Sequence, residues 1–300
     1  MKLEIHRFSA MGCPCELRFY GKKEKEIENA FKQCVARAKE FEHKYSRYLD
    51  DSVTTTINRS AGKSRTTIDQ ETFALLDYAQ VCFELSNGFF DITSGTLRQC
   101  WNSQTTELPS QIQIENCRSR IGWEKVTYSE TEIFLPVKGM ELDFGGIVKE
   151  YAADALVASA QKNGVEFGLI NLGGDIAMVG PQADGSPWNI GIVHPTIKGA
   201  TIAKIELSSG ALTTSGGYER FIEIDGQRYS HLLNPKTGFP MNSMLSATVI
   251  ADQAVVAGSI TSIALLNNEK EGLRWLEDSK LPYLAITKNL DCLGTLARAD

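Results

Sequence analysis

Seven short apolar runs, FGLINL, DIAMV, WNIGIV, AKIEL, RFIEI, YSHLL and LSATVI, are crowded into residues 167–250 with turn-forming residues between them. They read as strands. They lie close together with few helices between, which favours an antiparallel sheet over a doubly wound parallel one. Four helical patterns flank them, so the expected fold class is α+β, an antiparallel core sheet with packed helices. No Pro/Gly/Ser-rich linker divides the 300 residues, and the expectation is one domain spanning 1–300, built if need be as two intimately joined lobes.

The helices announce themselves by period. From Lys23 to about Tyr45, Ile27, Ala30, Phe31, Cys34, Val35, Ala38 and Phe41 fall on one face. A second helix spans Gln70 to Leu85 and stops at Asn87-Gly88. A third, Val148 to Lys162, is apolar at Val148, Tyr151, Ala152, Ala155 and Leu156, with Gly164 as its stop. A fourth, Val255 to Leu266, is nearly all apolar or small, which predicts burial. Residues 102–120 are polar and poorly periodic and read as loop with at most a short helix.

Composition excludes several classes of partner. The net charge is −6 with acids and bases interspersed, so no basic stripe is present to track a nucleic acid. No run approaches a membrane span, and the first twelve residues lack the apolar core of a signal peptide, so the expected setting is cytoplasmic without membrane insertion. Seven scattered cysteines argue for reduced thiols, and Cys13-Pro14-Cys15, with no second pair at zinc spacing, reads as two strand cysteines.

The chemistry lies in the loops. ELDFGGIVKEY ends a strand at Asp143, turns through Gly145-Gly146 and enters the third helix with Lys149 in its first turn. Free N–H groups at a helix start, with a lysine beside them, suit a phosphate. Neither G-x-G-x-x-G nor the G-K-[ST] of a P-loop is present. Gly173-Gly174-Asp175 and Ser215-Gly216-Gly217 repeat the device. His231 stands just before an Asn-Pro-Lys-Thr-Gly turn, either as a structural histidine of a hairpin or as a site residue held by a strand at the edge of a loop. Singly these are ordinary turns; together they point to a phosphate-bearing ligand.

Read in order, "MG" followed by a strand, YSRYLDDSVTTTINRSAG, SNGFFDITSGTLRQCW, DFGGIVKEYAADAL, INLGGDIAMVG, ALTTSGGYERF and YSHLLNPKTGFP resemble the flavin transferases of the ApbE type. That family moves FMN from FAD onto a threonine or serine of a target protein. The resemblance covers most of the chain and implies a T-fold-like, two-lobed architecture with FAD bound between the lobes and a target flavoprotein as partner. It implies that Met11 and Tyr48 contact FAD, that Phe89, Phe90 and Asp91 pack on it, and that Asp143 and Lys149 bind it. Asp175, Ser215, His231 and Leu233 would line the same pocket, with His231 as the base that takes the hydroxyl proton. The family's Mg2+ is held by a backbone carbonyl at the position of Gly146, and by an Asp and a Thr four residues apart at the start of the fourth helix.

At that helix the chain departs from the pattern. The metal carboxylate is Gly258 and the threonine is Ser262, with Thr261 beside it; Asn234 replaces a second acid in the turn after His231. Mg2+ is a hard ion usually anchored by one or two carboxylates plus phosphate oxygens. The expectation is weak Mg2+ binding through FAD phosphates, the Gly146 carbonyl and the Thr261 or Ser262 hydroxyl, with slow transfer that Gly258→Asp would raise if the helix start has room. Two alternatives are an FAD-binding protein without efficient transfer and an enzyme that hydrolyses FAD to FMN and AMP.

Overall fold

Eight strands pair antiparallel in one sheet, in the spatial order Lys2–Ala10, Cys13–Gly21, Gly168–Leu172, Asp175–Gly180, Ala211–Gly216, Ser246–Ala251, Tyr283–Ile286, Cys292–Leu293. The structure is a computed structural model that describes residues 1–218 and 220–297. The helices are α1 (Glu24–Tyr45), α2 (Val53–Arg59), α3 (Gln70–Leu85), α4 (Gln111–Arg118), α5 (Val148–Lys162), α6 (Ala254–Leu266) and α7 (Glu269–Asp278). None among the described residues is long and apolar enough to cross a membrane.

Alternation along the strands builds two cores, because successive side chains leave a strand on opposite faces. Ile170, Leu172, Ala177, Val179 and Ala211 join α1, α5 and α6 in the larger core. Leu169, Ile176, Met178 and Leu212 face the other way, onto a separate hairpin, Trp188–Val193 with Thr201–Leu207, whose alternate residues Trp188, Ile190 and Ile192 are buried. The sheet is thus covered on both faces.

Three of the seven apolar runs enter this sheet, whereas WNIGIV and AKIEL form the covering hairpin. RFIEI and YSHLL give a two-stranded ribbon, Phe221–Ile224 with Gln227–Ser230, so His231 lies one residue beyond a strand rather than inside it. Ser215 and Gly216, expected in a glycine turn with Gly217, instead end an inner strand, Ala211–Gly216. Thr214 and Ser215 in it find hydroxyl partners: Thr214 meets Thr248 at 2.9 Å and Ser215 meets Thr261 at 2.8 Å.

One contact sets the register of α5 against α6. The first residues of α6 have no cap of their own, and Asp154 of α5 accepts from the backbone N–H groups of Ala254 (2.7 Å) and Val255 (2.9 Å). Burial pushes the Asp154 carboxyl up from its usual range, against the pull of those two donors. Asp154→Ala leaves both donors without an acceptor and is expected to lower unfolding free energy by about 1–3 kcal/mol in urea titration. A change indistinguishable from zero would show that water replaces the carboxylate at no cost.

Candidate functional site

The site begins with a backbone choice. Met11 and Gly12 both have positive φ, +52° and +70°, the two-residue turn whose twist suits a tight antiparallel hairpin. The Met11 N–H donates to Glu42 Oε1 at 2.7 Å, fixing the turn against α1, and the Gly12 carbonyl faces Arg220 Nη2 at 3.4 Å. A side chain on Gly173 would meet Cys13 at 2.8 Å, so the Gly173-Gly174 turn packs closely behind the hairpin and delivers Asp175 to the interior. Cys13 and Cys15 are buried strand residues with sulfurs 3.9 Å apart. The hydrogen bond with Cys15 draws the Cys13 thiol down to about 7 against burial, helped by Lys149 and Arg220.

The second wall is the turn into α5. Asp143 Oδ1 accepts from the Gly145 N–H at 2.9 Å, and its Oδ2 accepts from Arg47 at 3.1 Å with Arg98 at 3.7 Å. Burial opposes the charge on Asp143, but the two guanidiniums and the Gly145 N–H outweigh it and hold the carboxyl below its usual range. Gly146 lies against the Phe90 ring, 3.2 Å from where a methyl group would stand. Lys149 reaches across to two carboxylates, Asp175 and, at 3.1 Å, Glu150 Oε1. Asp175 also accepts from the Thr214 N–H at 3.2 Å.

His231 stands opposite. Its Nδ1 lies 3.0 Å from the Arg220 carbonyl, which can only accept, so Nδ1 carries the proton and Nε2 keeps its lone pair. Arg98 donates to the His231 carbonyl at 3.0 Å. Burial first, then the nearby charges of Arg98, Arg220 and Lys149, bring the imidazole down to about 4 despite the Arg220 carbonyl. It is therefore a neutral acceptor at neutral pH.

The other expected residues fall into three positions. Ser215 brings the hydroxyls of Thr261 (2.8 Å) and Ser262 (3.4 Å) together from α6, so both candidate metal hydroxyls point to one place. Tyr48 is 84% exposed beside the site, with Arg47 over its ring at 6.0 Å, and the Phe89 ring carries Lys236 at 4.1 Å. Asp91 and Leu233, by contrast, are buried. The Asp91 carboxylate, pushed up by burial, is occupied by Thr93 and the Trp123 N–H. Leu233 belongs to the buried cluster of Leu97, Trp101 and Ile114.

Arg47, Arg98, Arg220 and Glu150 escaped the sequence reading. The three arginines stand in segments far apart along the chain and meet only in the fold. Glu150 follows Lys149 in the first turn of α5, and it is 7% exposed and lies over Gly258. A methyl group on Gly258 would stand 2.5 Å from Glu150 Cγ and 3.2 Å from its carboxyl carbon. The condition attached to Gly258→Asp, room at the helix start, is not met: an acid already fills the space.

The profile of the ApbE family matches residues 11–285. The FAD:protein FMN transferase of Klebsiella pneumoniae is 29% identical over 300 residues, 96% of this chain and 91% of that protein. That of Vibrio cholerae is 27% identical over 252 residues, 82% and 75% respectively. The ApbE protein of Thermotoga maritima superposes with a TM-score of 0.91 at 26% identity, covering 99% of this chain and all of that one. With the matched profile spanning the Met11-Gly12 turn, both glycine turns, His231 and α6, this chain is a member of the ApbE family.

Proposed function

We propose that the protein transfers FMN from FAD to a threonine or serine hydroxyl of a target flavoprotein, working as one domain in the cytoplasm. The observation that carries this reading is His231: a neutral imidazole with Nε2 available, set among three cations suited to a pyrophosphate. Seven cysteines held as thiols support the compartment.

In this mechanism the acceptor hydroxyl oxygen attacks the FMN-side phosphorus as its proton passes to His231 Nε2. The bond from that phosphorus to the bridging oxygen breaks, and AMP leaves carrying that oxygen. Arg98, Arg220 and Lys149 bind and orient the phosphates and absorb charge on the leaving group. The N–H groups of the Gly145-Gly146 turn add donors at the start of α5. Phe89, which is partly buried, and the exposed Tyr48 offer aromatic surface to the flavin or adenine ring.

The residues present fit a hard divalent cation. Among the described residues no three His, Cys, Asp or Glu side chains converge, as a zinc site would need. The Gly146 carbonyl and the Thr261 and Ser262 hydroxyls offer oxygen, and a buried carboxylate oxygen nearby, Glu150 Oε2, has no hydrogen-bond partner among the described residues. Mg2+ held there would neutralise charge on the pyrophosphate and the departing AMP. A carboxylate beside Gly258 supports transfer over the alternative of FAD binding alone, which drew its weight from the missing acid.

The direct test is incubation of the protein with FAD, Mg2+ and an acceptor domain carrying the target threonine, read as flavin fluorescence in a denaturing gel. Absence of covalent flavin with FAD bound would return the reading to simple FAD binding. A pH dependence follows as well. FAD phosphates beside His231 raise its low pKa on binding, so the complex holds more proton than the free protein above about pH 4, and FAD affinity rises as pH falls from about 7 toward 5. Fluorescence titration should show this slope in the native protein and a flatter one in His231→Ala; equal slopes would place the phosphates away from the imidazole.

A further inference from the structure

We propose that Glu150 of α5 is the carboxylate ligand of the divalent cation, a role that Gly258 of α6 cannot fill. This rests on the transferase reading and adds to it a ligand that no motif assigns.

Three observations carry it. First, Glu150 occupies the space in front of Gly258, its carboxyl carbon 3.2 Å from where a side chain there would begin. An aspartate at 258 and the glutamate at 150 would compete for the same volume, so each position explains the other. Second, Glu150 is more than nine-tenths buried, and among the described residues its Oε2 has no hydrogen-bond partner. A buried carboxylate oxygen left without a donor is costly, and an ion held by it removes the cost. Third, the surroundings are oxygen-rich. The Thr261 hydroxyl bonds to the Gly258 carbonyl (2.9 Å) and to Ser215, which reaches Ser262, so these hydroxyls gather at the same segment of α6 that Glu150 covers.

Lys149 shows how the site is balanced without the ion. Its ammonium pairs with both Glu150 and Asp175, a single charge between two carboxylates. A flexible stem lets that ammonium turn to an incoming phosphate. Glu150, released from Lys149, would then hold the divalent cation through its carboxylate.

The test uses Mn2+ as the probe, with its free aqueous signal followed by electron paramagnetic resonance in the presence of FAD and without acceptor. The native protein should bind Mn2+ under these conditions. Glu150→Gln, nearly isosteric, should weaken Mn2+ by at least about tenfold while FAD affinity measured without metal stays close to native. Gly258→Asp alone should crowd two acids and lose stability, whereas Glu150→Ala combined with Gly258→Asp should regain Mn2+ affinity, which a merely structural glutamate would not allow. Native-like Mn2+ binding by Glu150→Gln overturns the proposal, as do a native protein that binds no Mn2+ with FAD present and a double variant as weak as Glu150→Gln. The transferase reading fails separately, by the absence of covalent flavin on an acceptor whatever the Mn2+ result.

Discussion

Replacing His231 with alanine is expected to slow FMN transfer by about 10²–10⁴-fold while FAD binding is largely kept. The asymmetry follows from the position of the ring. Its Nδ1–H is held by the Arg220 carbonyl, and the nearby positive charges sit on Arg98, Arg220 and Lys149. Removing a neutral ring leaves those cations free to hold the pyrophosphate but takes away the acceptor for the hydroxyl proton. Single-turnover rates and FAD titrations on the same preparation separate the two effects. A loss of FAD binding as large as the loss of rate would make His231 a contact or scaffold residue.

The second large effect is on stability. Lys149 is the cation shared by Asp175, 2% exposed, and Glu150, 7% exposed. Lys149→Met removes the charge while keeping the stem, and two buried carboxylates are left facing each other. Breaking a buried ion pair from one side costs about 3–5 kcal/mol, because the remaining charge stays desolvated. Urea unfolding in the presence of a chelator should show a loss of that order. A loss below about 1 kcal/mol would mean that water reaches these carboxylates and that the pair is worth no more than a surface one.

How much of this was legible depended on the kind of signal. α3 and α5 appear with the expected bounds, and α1 and α6 within a residue, because α1, α3 and α5 each bury an apolar face and α6 is apolar or small almost throughout. α4 lay in a stretch without periodicity, and its signal was local: Ser110 and Gln113 form a reciprocal capping box. α7 is short and largely charged, with Asn268 capping it, and drew no notice. The inner strand Ala211–Gly216 was hidden by its Thr, Ser and Gly content, since hydrogen bonding between hydroxyls leaves no hydrophobic pattern. At the site, the glycine turns and His231 could be recognised because their information is local. Glu150 could not, since its meaning depends on a glycine brought against it from another helix.

The Asp154 contact between α5 and α6 has a consequence for how such a site can diverge. By holding the two helices in one register, it makes residues 150 and 258 two doors into the same room, and an acid can enter by either. A lineage can close one and open the other while the backbone stays where it was. Judging relatives by a single alignment column would class the chains that use the other door as inactive, so the unit to score across relatives is the pair of positions together with the aspartate that keeps them facing.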